Sequence, residues 1–235
     1  MLIDFDAHQY LMPSDVSRHA LRALRDRITR CVRKLDDLPL AGDVQQRPLV
    51  GDFDLAPARK TVPNALLTPA AVLVPIVQRT SGLYVLLTKR TSHLHDHPGQ
   101  ISFPGGRTEK IDDGPVATAL RETREEISLE PSFIQVIGFL DTYETTTRYL
   151  VTPVVGLITP GFRLNPDPFE VAEIFEMPLA FLLNPANHKI QTRLIGEKRY
   201  GFYVLEYENH CIWGATAGML MNLYRRIMGE SHNPA

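Results

Sequence analysis

Residues Pro115 to Leu129 read PVATALRETREEISL, and their spacing carries two messages. Val116, Ala119, Leu120, Thr123 and Ile127 recur at steps of three and four, the period of a helix with one face turned to a core. Gly114-Pro115 supplies the start, since proline in the first turn gives up only an N–H that has no intrahelical partner. Asp112 and Asp113 stand just before it, where the helix dipole stabilises a carboxylate. The second message lies on the remaining face, where Glu122, Glu125 and Glu126 are spaced by three and one. Side chains so placed project from one flank within about 5–6 Å of each other, and three carboxylates there repel. Hard oxygen donors in such a group suit Mg²⁺ or Mn²⁺, which offsets the repulsion and leaves positions open for water and phosphate oxygens. Arg121 and Arg124 lie among them and offset part of the charge. Taken alone, RETREE reads more simply as a solvated face with i,i+4 charge pairs. Glu126 is expected on the solvent side of the helix.

The residues upstream reverse that balance. Phe103 to Arg107 read FPGGR, and the run continues as GGRTEKIDDGPVATALRETREEISL. It resembles the Nudix box, G-x5-E-x7-R-E-U-x-E-E-x-G-U, where U is a bulky aliphatic residue. Arg121, Glu122, Thr123, Glu125, Glu126 and Leu129 occupy its second half, Thr123 being smaller and more polar than usual. Two departures stand out: Gly106 is one residue too far from Arg121, and Ser128 replaces the late glycine. The first is shared with the coenzyme A diphosphatase branch of the family, which carries an extra loop residue after FPGG and an aspartate at the place of Asp112. That branch is also marked by L-L-T-x-R-S-x-x-L and then G-x-x-x-F-P-G-G. Leu86, Leu87, Thr88, Arg90, Thr91 and Leu94, then Gly99, Phe103, Pro104, Gly105 and Gly106, are similar to it. VTPVVGLI and IWGATAGML resemble the same branch, so the likeness runs from about Ala70 to Leu223.

The resemblance implies an α/β fold, a Nudix-type α/β/α sandwich with a mixed β-sheet, here with an additional N-terminal helix. It implies Mg²⁺-dependent (or Mn²⁺-dependent) hydrolysis of the diphosphate of coenzyme A or acyl-coenzyme A, giving 3′,5′-ADP and the (acyl-)phosphopantetheine. Glu122, Glu125 and Glu126, with a backbone carbonyl at Gly106 or Gly105, are the expected metal ligands. Glycine at these positions lets backbone approach an ion or phosphate closely. The base that activates water is open among Glu122, Glu170 and Glu173. Arg121 is expected to orient a box glutamate. Lys89, Arg90, His97, Arg107 and Gly105 flank the site as substrate-binding candidates. Rival readings are another nucleoside diphosphate derivative, such as ADP-ribose or NADH, or a nucleotide-binding regulator without catalysis.

Further out, AAVLVPIV (Ala70 to Val77) and LYVLLTKR (Leu83 to Arg90) flank Ser81-Gly82 and read as a β-hairpin with a buried first strand. Strands are expected at FIQVIGFLD, YLVTPVVGLI and YGFYVLEY, and a closing helix from Ala215 to Ile227. Mixed strands and helices point to a layered α/β sandwich. Toward the N-terminus, Val16, Ala20, Leu24, Ile28, Cys31 and Leu35 predict a helix from Ser14 to about Leu35, capped by Ser14, with its arginines on a solvated face. Asp36 to Leu67, rich in Pro, Gly and Asp, reads as a long connection. The chain is therefore divided into 1–66, helix and connection, and 67–235, the Nudix domain, with dimerisation through the N-terminal helix left open.

The chain has 235 residues, 44% hydrophobic and 22% charged, with a net charge of −2. This suits a globular protein with no broad basic surface for nucleic acid. Cys31 and Cys211, two cysteines without metal spacing, are expected as free thiols. No apolar run spans a bilayer and no leader-like start is visible, so a cytoplasmic location with a small-molecule substrate is expected. His93, His95 and His97 alternate without a cysteine or fourth ligand nearby, which argues against zinc.

Overall fold

The computed structural model describes residues 15–37, 50–51, 55, 67–94, 97–195 and 198–230. Helix α1 (Asp15–Cys31) and a short strand β1 (Val50–Gly51) precede the hairpin β2 (Thr68–Arg79) and β3 (Gly82–Arg90). Two short strands, β4 (Ile101–Ser102) and β5 (Gly105–Arg107), lead into helix α2 (Gly114–Ile127). Strands β6 (Ile134–Phe139), β7 (Tyr143–Glu144), β8 (Tyr149–Ile158) and β9 (Val171–Pro178) follow. A short helix α3 (Leu179–Leu182), the strands β10 (Lys189–Ile195), β11 (Lys198–Tyr207) and β12 (His210–Trp213), and helix α4 (Gly214–Met228) complete the order.

Among the described residues nine strands form one mixed sheet, ordered β1-β7-β8-β2-β3-β4, with β5 also on β2, β6 on β8 and β9 on β3. Its centre is the parallel pair β2–β8, in register from Thr68↔Tyr149 to Val77↔Ile158. The unbroken apolar run of β2 follows from this position. Ala71, Leu73 and Val77 face one layer, where α2 packs through Ala119 and Ile127. Ala70, Val74 and Ile76 face the other, where α1, α4 and α3 pack through Ile28, Leu220, Leu223 and Leu182. A strand covered on both faces has no polar side to alternate with. The result is the expected α/β/α sandwich.

The expected hairpin is present, with Ile76↔Val85 and Arg79↔Gly82 paired. Strands β6, β8 and β11 and helix α4 fall where the sequence placed them, whereas β10 and β12 were not anticipated. These two flank β11 in a separate three-stranded antiparallel sheet. Helix α1 shares the main core: Ile28 and Val32 are buried, and Arg33 pairs with Phe139 through both backbone bonds. Leu21, Leu24 and Cys31 pack against the same core, whereas Ala20 and Leu35, expected on that face, are exposed. The proposed cap Ser14 and most of the long connection lie outside the described residues. No helix among the described residues is long and apolar enough to cross a membrane. Both cysteines are free.

Candidate active site

Helix α2 is held to its preceding loop by one aspartate. Asp112 does not cap the helix; its side chain, 3% exposed, receives Nε and Nη2 of Arg121, each at 2.8 Å. The Glu109 N–H and the Thr118 hydroxyl donate to the same carboxylate at 2.8 and 3.0 Å. These donors, Arg121 first, hold Asp112 well below the usual carboxylate range. The pair in turn fixes the Arg121 guanidinium, whose Nη1 donates to Glu122 and to Glu125 at 3.0 Å each. Nη2 also reaches the Arg107 carbonyl at 3.1 Å. Arg121 is thus a clamp among the box residues. Ser128 closes the helix in a left-handed conformation (φ 56°) that glycine would adopt freely. Its hydroxyl donates to the Asn165 carbonyl at 3.0 Å.

The three glutamates do not share one open flank. Glu125 is the outlying member: its side chain is 60% exposed and drawn onto Arg121. Glu126, expected to face solvent, is 6% exposed beneath the FPGG loop and accepts the Gly105 N–H at 3.3 Å. Burial, together with the negative charges of Glu170 and Glu122, pushes its carboxyl up to about 8. Glu122 is half-buried, and desolvation raises its carboxyl as well. The third negative neighbour is therefore Glu170, from the segment before β9. That segment is pinned by the last carbonyls of α2, which accept Asn165 N–H (3.0 Å, on Ile127) and Asp167 N–H (2.8 Å, on Glu126). Thr91 N–H holds the Glu170 carbonyl at 2.9 Å. Otherwise unpaired helix-end groups thus deliver a distant acid to the cluster.

Glu173 does not join it. Phe175, two residues further along β9, belongs to the layer of α1 and α4, so strand alternation turns Glu173 away from α2. Glu173 instead pairs with His210 at 3.0 Å. Lys89 lies opposite Glu173 in register, on that same side. Arg90 is close enough for its charge to favour ionised Glu126, while the Arg107 side chain is exposed. His97 has a positive φ of 55°, His93 packs tilted against Phe169 with ring centroids 4.8 Å apart, and His95 is outside the described residues.

The two glycines have separate duties. Gly105 has φ 152°, and a Cβ there would run into the Ala71 carbonyl and Val72. A Cβ on Gly106 would lie 2.5 Å from the Glu122 carboxyl carbon. The loop consequently rests on both Glu122 and Glu126. As they stand, no three His, Cys, Asp or Glu side chains among the described residues form a coordinating group. The donor set nonetheless fits a divalent cation: the negative charges of Glu122, Glu126 and Glu170 oppose one another, with Glu126 buried and Glu122 half-buried.

Beside the loop opens a cleft of about 1020 Å³. Phe103, Gly105 and Arg90 border it on the main sheet; Tyr200, Phe202 and Trp213 border it on the small sheet. Its size suits a large organic ligand.

A sequence profile described as NUDIX domain matches residues 67–195. An uncharacterized Nudix hydrolase NudL of Enterobacter sp. (strain 638) is 40% identical over 160 residues, 67% of this chain and 82% of the relative. The protein of the same name from Escherichia coli (strain K12) is 42% identical over the same shares. Among solved structures, an Ap4A hydrolase of C. elegans in a binary complex aligns with a TM-score of 0.42 and 17% identity, over 47% of this chain and 80% of that one.

Proposed function

Because the chain belongs to the Nudix hydrolase family, whose members act on nucleoside diphosphate derivatives, we propose that it cleaves the diphosphate of coenzyme A or acyl-coenzyme A. The products are 3′,5′-ADP and the (acyl-)phosphopantetheine. The observation that carries this reading is the double duty of one loop. Phe103 and Gly105 border the cleft, while Gly105 and Gly106 contact Glu126 and Glu122. A ligand filling the cleft therefore presents its diphosphate beside the acids. The residues resembling the coenzyme A diphosphatase signature, Leu86 to Leu94 and Gly99 to Gly106, form this same loop and the strand beneath it.

Glu122 and Glu126 are the leading metal ligands, with a carbonyl of Gly105 or Gly106 beside them. Mg²⁺ or Mn²⁺ held there would neutralise charge on the phosphoryl oxygens and make water more acidic. Glu170, fixed through its backbone, orients the attacking water and takes its proton. The water oxygen forms the new bond to phosphorus, the bridging P–O bond breaks, and the departing phosphate carries off the electron pair. Arg121 acts through others: it sets Glu122 and keeps Glu125 at the rim of the acids. Arg90 balances the charge at Glu126.

The test is turnover of coenzyme A, acetyl-coenzyme A, ADP-ribose and NADH side by side with Mg²⁺, with products identified. Coenzyme A derivatives are expected to give the highest kcat/KM and to release 3′,5′-ADP. A clear preference for ADP-ribose or NADH would transfer the function to that substrate. Tight nucleotide binding without turnover would favour a regulator.

A further inference from the structure

The charged residues around the cleft are distributed unevenly. Among the described residues its lining contains Arg90, Arg193 and His97, and no Asp, Glu or Lys. This is a positive interior in a chain of net charge −2. Arg90 belongs to the end near the acids, where it faces Glu126. Arg193 is on β10, in the other sheet, and nothing in the diphosphate chemistry engages it.

Pairing across the small sheet fixes what surrounds Arg193. Arg193 lies opposite Tyr200, and Gln191 opposite Phe202, so these four side chains share a face. Val204 lies opposite Trp213, which extends that face onto β12; the Phe202 and Trp213 rings stand 6.0 Å apart at 61°. Arg193 is exposed, and its guanidinium has no carboxylate partner among the described residues. An aromatic wall ending in a fork of N–H donors, with no acid among the described residues lining the cleft, matches a planar base carrying a phosphate monoester.

We infer that Arg193 is a specificity determinant that recognises a second, non-scissile phosphate on the nucleoside of the substrate, with Tyr200, Phe202 and Trp213 receiving the base. The inference rests on the proposed function, because it names the part of the substrate this wall takes. It separates nucleotides bearing a ribose phosphate from otherwise identical ones lacking it. Loss of a charge-assisted contact of this kind corresponds to about a 10- to 100-fold change in affinity.

Calorimetric titration of 3′,5′-ADP and of 5′-AMP into the full-length protein tests it without turnover. The wild type is expected to bind 3′,5′-ADP at least tenfold more tightly than 5′-AMP. Arg193→Ala is expected to reduce that ratio to about one, and Arg193→Lys to restore part of it. A wild type that does not discriminate, or an Arg193→Ala variant that keeps the ratio or weakens both ligands equally, overturns the assignment. Because neither probe contains the scissile bond, the outcome is separate from the substrate panel. Retained discrimination without coenzyme A turnover would sink the substrate reading and leave the phosphate subsite standing.

Discussion

Glu126 shows how much one buried carboxylate decides. In the metal-free protein its folded-state carboxyl lies at about 8, against an ordinary 4.5. A raised carboxyl binds its proton more tightly in the folded state than in the unfolded one. Its contribution is therefore fully present below about 4.5 and is lost as pH rises through about 8. Melting of metal-free protein is accordingly expected at lower temperature at pH 9 than at pH 5. Glu126→Gln should flatten that dependence and raise the melting temperature at pH 9. The same variant should lose at least the roughly 10–100-fold in metal affinity that even an outer-shell change costs, and with it the turnover. The adjacent glycines separate folding from chemistry. Gly105→Ala meets backbone at a positive φ and should cost stability of about 1–3 kcal/mol, read by denaturant unfolding. Gly106→Ala first meets the Glu122 carboxylate rather than backbone, so activity should fall with far less loss of stability. The burial of Glu126 had a sequence signal: Ala119, Thr123 and Glu126 follow the same four- and three-residue steps as the apolar face. Its charge argued for solvent, and the loop that covers it begins more than twenty residues earlier.

At the scale of elements, α2 is a rigid rod because Asp112 and Arg121 fasten it to the loop. Asp112→Asn should lower stability by on the order of 2 kcal/mol, since it leaves a largely buried guanidinium short of its partner. Arg121→Lys should lower activity as well, because an ammonium cannot reproduce a fork that spans Asp112, Glu122 and Glu125. Both effects are read by thermal melting alongside kcat. The period of α2 and of α4 was visible in single stretches, as was the β2–β3 hairpin, because each signal is local. Strands β10 and β12 were not: in β10, Gln191 and Arg193 alternate with Ile190, Thr192 and Leu194, yet Ile190 and Leu194 remain exposed and no core face betrays the strand. Glu170 and Glu173 could not be ranked from sequence, since only the backbone bonds of Asn165, Asp167 and Thr91 reveal which acid reaches α2.

The whole molecule is tied together by its first helix. Asp141 gathers Arg226, Asn222 and Arg33, and Arg226 also donates to the Cys31 carbonyl at 3.0 Å. Together with buried Ile28 and Val32, this network joins α1 to α4 across the side of the sheet opposite α2. Removing residues 1–37 should therefore lower the melting temperature by on the order of 10 °C, given about 2 kcal/mol for each large apolar side chain re-exposed. Helix α4 also begins at the cleft, where Gly214, Ala215 and Thr216 form part of its lining. Loss of α1 should thus weaken substrate binding from a distance. In the proposed mechanism Glu122 and Glu126, beneath the Gly105–Gly106 loop, hold a divalent cation. Titration of Mn²⁺ followed by electron paramagnetic resonance tests it directly in wild type and Glu126→Gln. Wild type should take up Mn²⁺ from solution and Glu126→Gln should leave it free; equal uptake by both proteins would contradict the assignment.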